Sequence, residues 1–372
     1  MAEPPIPVFT VKPEVEEHWD QIQEALARVL RSGQFILGPE VSAFEAEAAA
    51  FLGSKYAIGV NSGTDALMIA LRAAGVEPGD EVITSPFSFF ASAESIANIG
   101  AVPIFVDVEL DSMNLDPSLL DAVVTPRTKA IMPVHLFGRP AEMDGVMEVA
   151  QRHGLKVIED CAQSFGAEHH GARGRRMTGT IGELGAFSFF PTKNLGAYGD
   201  AGLITTDDPV MAETCQKLRV HGSIKRYHNE VLGYNSRLDA IQAAILRLKL
   251  PLTSAYNEAR RMIAMRYFEL LADVPNVIAP EVTPGHVFHQ YTVRLLNQDR
   301  DRVQEEMAAQ GVSTMVYYPI PQDRLPVFEG KYPRYENNER LAREVLSLPI
   351  WPQITLEQQQ RVVAALAVSL EA

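Results

Sequence analysis

The fold is decided by residues 56–158, which begin with YAIGV (56–60) and end with KVI (156–158). Apolar runs of strand length alternate there with segments whose apolar residues recur at helical spacing, such as 66–74 and 143–153. The predicted strands are 56–60, 81–84, 102–108, 130–134 and 156–158. Such alternation indicates an α/β domain with a largely parallel central sheet.

On either side of this region the pattern changes. Upstream, apolar residues at helical spacing over 15–32 predict a helix within an N-terminal arm, residues 1–34. Downstream, long helical patterns interrupted by Pro251 replace the alternation. We therefore expect a large domain over 35–250 and a small α+β domain over 251–372, the latter with a strand at 312–317.

Composition excludes several classes of protein. The chain has 372 residues, 47% of them hydrophobic and 22% charged, which is typical of a soluble globular protein. It contains no apolar run of membrane-spanning length and starts without the pattern of a secretory signal, so we expect a cytoplasmic protein. Cys161 and Cys215 lie far apart without metal-ligand spacing, which indicates neither disulfide nor metal site. The net charge of -14 argues against non-specific nucleic-acid binding.

The segment NSGTDAL (61–67) follows a predicted strand and opens a helix. Backbone N–H groups and the helix dipole favour an anion at such a place, so a phosphate could bind there. Ser, Thr and Asp are also common helix-capping residues. Taken alone, the segment leaves both interpretations open.

A second segment, VIEDCAQS (157–164), places Asp160 at the carboxyl end of a buried strand. Ligands bind at that edge of open α/β sheets, and a carboxylate there needs a cationic partner such as a protonated pyridine nitrogen. The alternative is a helix-capping or surface carboxylate.

The most informative segment is GAFSFFPTKNLG (185–196), in which a strongly apolar strand runs directly into Lys193 among turn-forming residues. A partly desolvated lysine with a lowered pKa is what Schiff-base chemistry requires. An exposed loop lysine would fit the same spacing.

Taken together, the motifs resemble the DegT/StrS family of nucleotide-sugar aminotransferases. They occur in the family's order over roughly residues 30–350: NSGTDAL, SFFAS, PVHLFG, EDCAQSFGA, FSFFPTKNLGAYGDAG, RVHGxxxRYH and GYNSRLDAIQAAIL. The resemblance implies a fold type I, aspartate aminotransferase-like transferase that depends on pyridoxal 5'-phosphate (PLP). It also implies a nucleotide-linked keto sugar and an amino-acid donor as substrates.

The resemblance further implies roles for single residues. Lys193 matches the Schiff-base lysine, and Asp160 matches the acid that faces the pyridine nitrogen. The remaining matches to cofactor-binding positions are Gly63, Thr64 and Ser188 around the phosphate, Gln163 near the ring hydroxyl, and Phe89 stacked on the ring. Asn235 matches a residue that reaches the partner's cofactor phosphate across a homodimer interface.

Substrate contacts are less well defined by the motifs. The cluster Arg219, His221, Lys225 and Arg226 could bind the substrate's diphosphate or could be an exposed loop. Tyr318 lies in a segment, YYPIPQD, that the family commonly continues with Leu-His; this chain lacks that histidine. The sequence of residues 227–239 resembles that of family members in a way that favours a 3-keto hexose as the substrate.

Two other functions are alternatives to transamination. One is a sugar dehydratase of the same family, in which histidine typically replaces the Schiff-base lysine, so Lys193 argues against it. The other is a regulatory protein that keeps the fold without turnover. The complete set of cofactor-binding matches argues against that reading.

Overall fold

The computed structural model describes residues 4–172, 174–223, 225 and 227–371. Its strands are β1 (Tyr56–Val60), β2 (Glu81–Thr84), β3 (Val102–Phe105), β4 (Thr128–Met132), β5 (Lys156–Asp160), β6 (Glu168–Gly171), β7 (Gly174–Met177), β8 (Leu184–Ser188), β9 (Gly202–Thr206), β10 (Val277–Ile278), β11 (Tyr291–Leu295) and β12 (Val345–Leu348).

The α-helices alternate with these strands in the first part of the chain and dominate the second part. They are α1 (Lys12–Glu17), α2 (Trp19–Ser32), α3 (Pro39–Leu52), α4 (Gly63–Ala73), α5 (Ala91–Asn98), α6 (Met143–His153), α7 (Pro209–Leu218), α8 (Ala240–Lys249), α9 (Thr253–Leu270), α10 (Arg300–Ala309), α11 (Glu336–Glu344) and α12 (Leu356–Glu371). None of the helices in the described ranges is long and apolar enough to cross a bilayer.

The central sheet has the strand order β1-β9-β8-β5-β4-β2-β3. The pairs from β8 to β3 are parallel, whereas β9 runs antiparallel to both of its neighbours. This confirms the predicted α/β class with a mostly parallel sheet. Strand β9 carries no alternation of apolar and polar residues, and all five of its residues are buried.

Helices cover both faces of the sheet because neighbouring strand residues point in opposite directions. Ile158 packs with the cluster that contains α4 and α7, whereas Val157 packs with α6 on the opposite face. Phe187 and Leu203 pack against α3 and α8. The sheet is therefore buried on both faces, and ligands have access at the carboxyl ends of its strands.

The second part of the chain has its own core. Residues of α9, α10, α12, β11 and β12 share one apolar cluster, and Ile6 from the N-terminal segment joins it. The predicted strand at 312–317 is wrong: Val312 and Met315 make only isolated bridges, to Ile6 and Ser347. The strand that pairs with β11 is β12, which directly follows α11.

The N-terminal arm contains two helices instead of the single one predicted over 15–32, because the helical geometry is interrupted at His18. Helix α2 packs against α8 through Ala25 and Val29, which contact Ala240 and Ala244. The arm therefore contacts the cores on both sides of the turn around Pro251.

Candidate active site

A cavity of about 450 Å³ opens at the carboxyl ends of the parallel strands. It has the size of an ordinary small-ligand site and is lined from both parts of the chain. Seven of the residues singled out for cofactor binding line it together: Gly63, Thr64, Phe89, Asp160, Gln163, Ser188 and Lys193. His289, Gln290, Tyr317 and Tyr318 complete the wall from the second part.

Lys193 lies in the loop that follows β8, where its backbone N–H donates to the carbonyl of Phe190 over 2.8 Å. Within the described part of the chain, the side-chain amine makes no hydrogen bond or ion pair. Burial lowers the pKa of Lys193 to about 8, although the charge of Asp160 opposes that shift. The unprotonated, nucleophilic fraction of this amine at neutral pH is therefore much larger than that of an ordinary lysine.

Asp160 ends β5 with only 3% of its surface exposed. The hydroxyl of Ser92 donates to Oδ2 over 2.8 Å, and the backbone N–H of Ala162 donates to Oδ1 over 3.1 Å. Burial nevertheless raises the pKa of Asp160, and the nearby charge of Lys193 only partly offsets this. A cation at this carboxylate would be stabilised, as a protonated pyridine nitrogen would be.

The start of α4 forms a close backbone approach to Ser188. A Cβ atom at Gly63 would lie 2.6 Å from Cβ of Ser188, so only glycine fits. The Ser62 hydroxyl caps the helix by accepting from the N–H of Asp65 over 3.1 Å. The first N–H groups of α4 have no partner within the helix, and together with the Ser188 hydroxyl they form a cradle for an anion.

Gln163 links the cavity floor to the aromatic wall. Its Oε1 accepts from the N–H of Phe137 over 2.6 Å, and its Nε2 donates to the hydroxyl of Tyr318 over 3.1 Å. Phe89 lies at the mouth with 60% of its surface exposed, and its ring centroid is 6.3 Å from that of Tyr318. An exposed phenylalanine beside a cavity is positioned to stack on a flat ring.

Asn235 does not line this cavity. It is exposed in a neighbouring depression of about 480 Å³, whose wall shares Ser62 and Asp200 with the cavity. Its backbone carbonyl accepts from Nδ2 of Asn61 over 3.5 Å.

The predicted basic cluster is not assembled around the cavity. Arg219 is buried, and its guanidinium is bound to the carboxylate of Glu45 and to the carbonyl of Gly59. His221 and Lys225 are exposed and do not line the cavity, whereas Arg226 lies outside the described residues. The expected diphosphate contact of Arg219 is therefore replaced by a structural contact within the chain.

Three residues of the site were missed by sequence reasoning. Ser92 donates to Asp160, Asn194 directly follows Lys193, and His289 lines the cavity. Ser92 could have been recognised as part of the SFFAS motif, and Asn194 through its place beside Lys193. His289 carries no comparable signal, because only the fold brings β11 and its preceding loop to this edge.

The residues present fit PLP. The cavity offers an anion cradle at Gly63 and Ser188, a buried carboxylate without a full counter-charge at Asp160, and an amine of lowered pKa at Lys193. These three features match the phosphate, the pyridine nitrogen and the aldehyde of the cofactor in turn.

Comparisons with known proteins agree with this chemistry. The chain is 47% identical to the "Pleiotropic regulatory protein" of Geobacillus stearothermophilus, over 97% of this chain and 98% of that protein. It is 44% identical to the UDP-N-acetyl-3-dehydro-alpha-D-glucosamine 3-aminotransferase of Acidithiobacillus ferrooxidans, over 97% of each. The solved structure of S. venezuelae DesV in complex with a ketimine intermediate is 42% identical, covers 100% of both chains and superposes with a TM-score of 0.95.

The family assignment follows from the geometry and these relatives together. The sequence pattern of the DegT/DnrJ/EryC1/StrS aminotransferase family matches residues 17–367. The solved structure of NtdA from Bacillus subtilis, 33% identical to this chain, contains bound PMP, the amino form of PLP. This chain is a PLP-dependent aminotransferase and belongs to the DegT/DnrJ/EryC1/StrS aminotransferase family.

Proposed function

We propose that this enzyme transfers the amino group of L-glutamate to the keto carbon of a hexose linked to UDP or dTDP, at C3. Amino sugars made in this way serve surface polysaccharides or natural-product glycosides. The support for C3 is the relative from Acidithiobacillus ferrooxidans, whose name specifies a 3-aminotransferase acting on a UDP-linked sugar.

The observation that carries the proposal is that Lys193 and Asp160 line the same cavity. When bound, PLP supplies an electron sink that stabilises negative charge at the donor's Cα. Asp160 would hold the proton of the pyridine nitrogen through a full counter-charge. Lys193 Nζ, whose pKa is lowered to about 8, would move the proton at Cα as general base and acid.

The nucleotide's diphosphate needs cationic or N–H donors. We assign it to the exposed residues His221 and Lys225 together with Arg226, and we leave out Arg219, whose guanidinium Glu45 and Gly59 already occupy. Tyr318 is assigned to the sugar, since its ring lines the cavity beside Phe89.

The proposal includes a homodimer with shared active sites. Asn235 and Lys225 are exposed and lie outside the wall of the cavity in their own chain. The depression around Asn235 adjoins the cavity through Ser62 and Asp200, so residues of a second copy seated there would meet the phosphate cradle. Most soluble homo-oligomers have such two-fold symmetry.

A panel of UDP- and dTDP-linked 3-keto and 4-keto hexoses, each supplied with glutamate, tests this function. We expect the amino sugar to form from a 3-keto substrate, with one 2-oxoglutarate released per product. The Lys193→Ala protein is the control and should form none. If glutamate changes the cofactor's absorbance but only 4-keto sugars are aminated, the C3 assignment is wrong. If glutamate leaves the absorbance spectrum of the cofactor unchanged, a regulatory protein without turnover is favoured instead.

A further inference from the structure

His289 lies in the wall of the cavity with 6% of its surface exposed. Its ring nitrogen Nδ1 is 3.2 Å from Oδ1 of Asn194, the residue that directly follows Lys193. Its backbone carbonyl accepts from Nη1 of the buried Arg260 over 3.2 Å. Both the ring and the main chain of His289 are therefore fixed in place.

The hydrogen bonds around Asn194 determine which ring nitrogen of His289 carries the hydrogen. Backbone carbonyls can only accept, so the carbonyl of Phe165 requires Asn257 to present Nδ2 to it, over 3.0 Å. Oδ1 of Asn257 then accepts from Nδ2 of Asn194 over 2.7 Å. The carbonyl of Val287, 3.0 Å from the same Nδ2, fixes the Asn194 amide independently.

Oδ1 of Asn194 is therefore an acceptor, and Nδ1 of His289 must donate to it. Burial holds the pKa of His289 well below its usual range, and the charges of Lys193 and Arg260 lower it further. The ring is neutral, with its single hydrogen on Nδ1. Nε2 is a bare acceptor, and it makes no hydrogen bond within the described residues.

We propose that His289 is a substrate-binding residue whose Nε2 accepts a hydrogen bond from a hydroxyl group of the sugar. This inference rests on the proposed keto-sugar substrate and deepens it. A carboxylate or phosphate cannot pair with Nε2, because both partners would be acceptors. A cationic amine is disfavoured by the charges of Lys193 and Arg260, which leaves a neutral donor such as a sugar hydroxyl.

The acceptor state of His289 depends on Asn194, and Asn194 adjoins Lys193 in the chain. The same amide also joins the loop of Lys193 to α9 through Asn257 and to the segment before β11 through Val287. The residue that would bind the sugar and the loop that holds Lys193 are in this way connected through Asn194.

The tautomer is measured directly on the holoenzyme. Histidine labelled with ¹³C in the ring is incorporated, and the ring-carbon shifts of His289 are identified by their absence from the spectrum of His289→Phe. We expect the shifts of a neutral ring with hydrogen on Nδ1, unchanged between pH 6 and 8. Shifts of the Nε2–H tautomer, or of an imidazolium, would overturn the proposal. This readout does not depend on finding the right sugar.

Binding is measured by following the two half-reactions separately. His289→Phe keeps a ring but removes the acceptor, so the keto-sugar half-reaction should lose about tenfold more in kcat/KM than the glutamate half-reaction. His289→Gln, which restores an acceptor, should recover part of that loss. A sugar lacking the bound hydroxyl should be a poor substrate for the native enzyme. With that sugar, the difference in kcat/KM between the native enzyme and His289→Phe should be smaller.

His286→Phe is the matched control. His286 is a buried histidine three positions away, bonded through Nε2 to the carbonyl of Phe137 and stacked on Phe288, and it does not line the cavity. We expect it to change both half-reactions to the same extent. An equal loss in both half-reactions for His289→Phe as well would show that His289 is merely structural. If no keto sugar is aminated by the native enzyme, the proposed function fails, and the tautomer measurement still stands.

Discussion

Asp160 and Lys193 stabilise each other's charged form at the carboxyl edge of the central sheet. Asp160 ends β5, Lys193 follows β8, and these strands pair in parallel. Burial raises the pKa of Asp160, and the charge of Lys193 lowers it. Burial lowers the pKa of Lys193, and the charge of Asp160 raises it. The two groups that we assign to the chemistry are thus coupled before any ligand arrives.

Asp160→Asn should damage catalysis far more than folding. The amide cannot hold the pyridine proton with a full counter-charge, so we expect kcat to fall on the order of 100-fold or more. The unfolding temperature of the apoprotein should be unchanged or higher, because a buried carboxylate with a raised pKa is itself costly. A rate within a few fold of the native enzyme would mean that Asp160 is not the partner of the pyridine nitrogen.

The pH dependence of cofactor capture should report the pKa of Lys193. Only the neutral amine attacks the PLP aldehyde, so the rate of covalent attachment to apoprotein should rise with pH, with its midpoint near about 8. Asp160→Asn removes a charge that raises this pKa, and its profile should therefore shift to lower pH. Glu148→Gln, at an exposed carboxylate paired with Arg152, is the control and should shift nothing. A profile centred near the ordinary lysine pKa would contradict the assigned burial.

Lys249 should stabilise the fold through the N-terminal arm. Its Nζ lies 2.6 Å from Oε1 of Glu14 and 2.6 Å from the carbonyl of Gly196, in the loop of Lys193. Lys249→Met leaves the partly buried carboxylate of Glu14 without its charge partner and the carbonyl of Gly196 without its donor, so we expect about 2–4 kcal/mol less free energy of unfolding. The double variant Glu14→Gln/Lys249→Met should recover part of this loss.

The matched control for Lys249 is Lys156→Met, since Lys156 forms an exposed pair with Glu183 over 3.8 Å. Such pairs contribute less than about 1 kcal/mol. If urea unfolding shows the same loss in free energy of unfolding for both methionine variants, the pair of Lys249 and Glu14 contributes no more than an exposed pair.

Mixing two inactive variants tests the shared site. In a dimer that shares its sites, a heterodimer of Lys193→Ala and Asn235→Ala has one site with both lesions and one with neither. Each heterodimer should then regain about half of one native dimer's activity. Mixing Lys193→Ala with itself is the control. If Asn235→Ala is inactive alone and subunit exchange restores nothing, Asn235 acts within its own chain.

The sequence predicted the central sheet because its strands are short apolar runs separated by amphipathic helices. Helix α6 and strands β1 and β2 have the predicted bounds. It failed at 312–317, where Val312 is buried by side-chain packing and where Val312 and Met315 make only isolated bridges. Local pattern cannot distinguish those two ways of burying a β-branched residue.

Some residues of the site could likewise be predicted from the sequence, and others could not. Lys193 and Asp160 stand in motifs at strand ends, where position in the chain already indicates the edge of the sheet. Arg219 could not be assigned correctly, because its partners, Glu45 and Gly59, lie more than 150 residues away in sequence. The tautomer of His289 depends on carbonyls of Phe165 and Val287 that only the folded chain brings together.

The central claim is that Lys193 carries the cofactor and moves the proton of the amino donor. Borohydride reduction of the holoenzyme, followed by peptide mass spectrometry, tests it most directly. We expect the reduced pyridoxyl group on Lys193 alone, and none on Lys193→Ala or Lys193→Arg, since a guanidinium cannot form the imine. Both variants should fold and should not transaminate. A pyridoxyl group on another lysine, or near-native turnover by Lys193→Ala, would contradict the account.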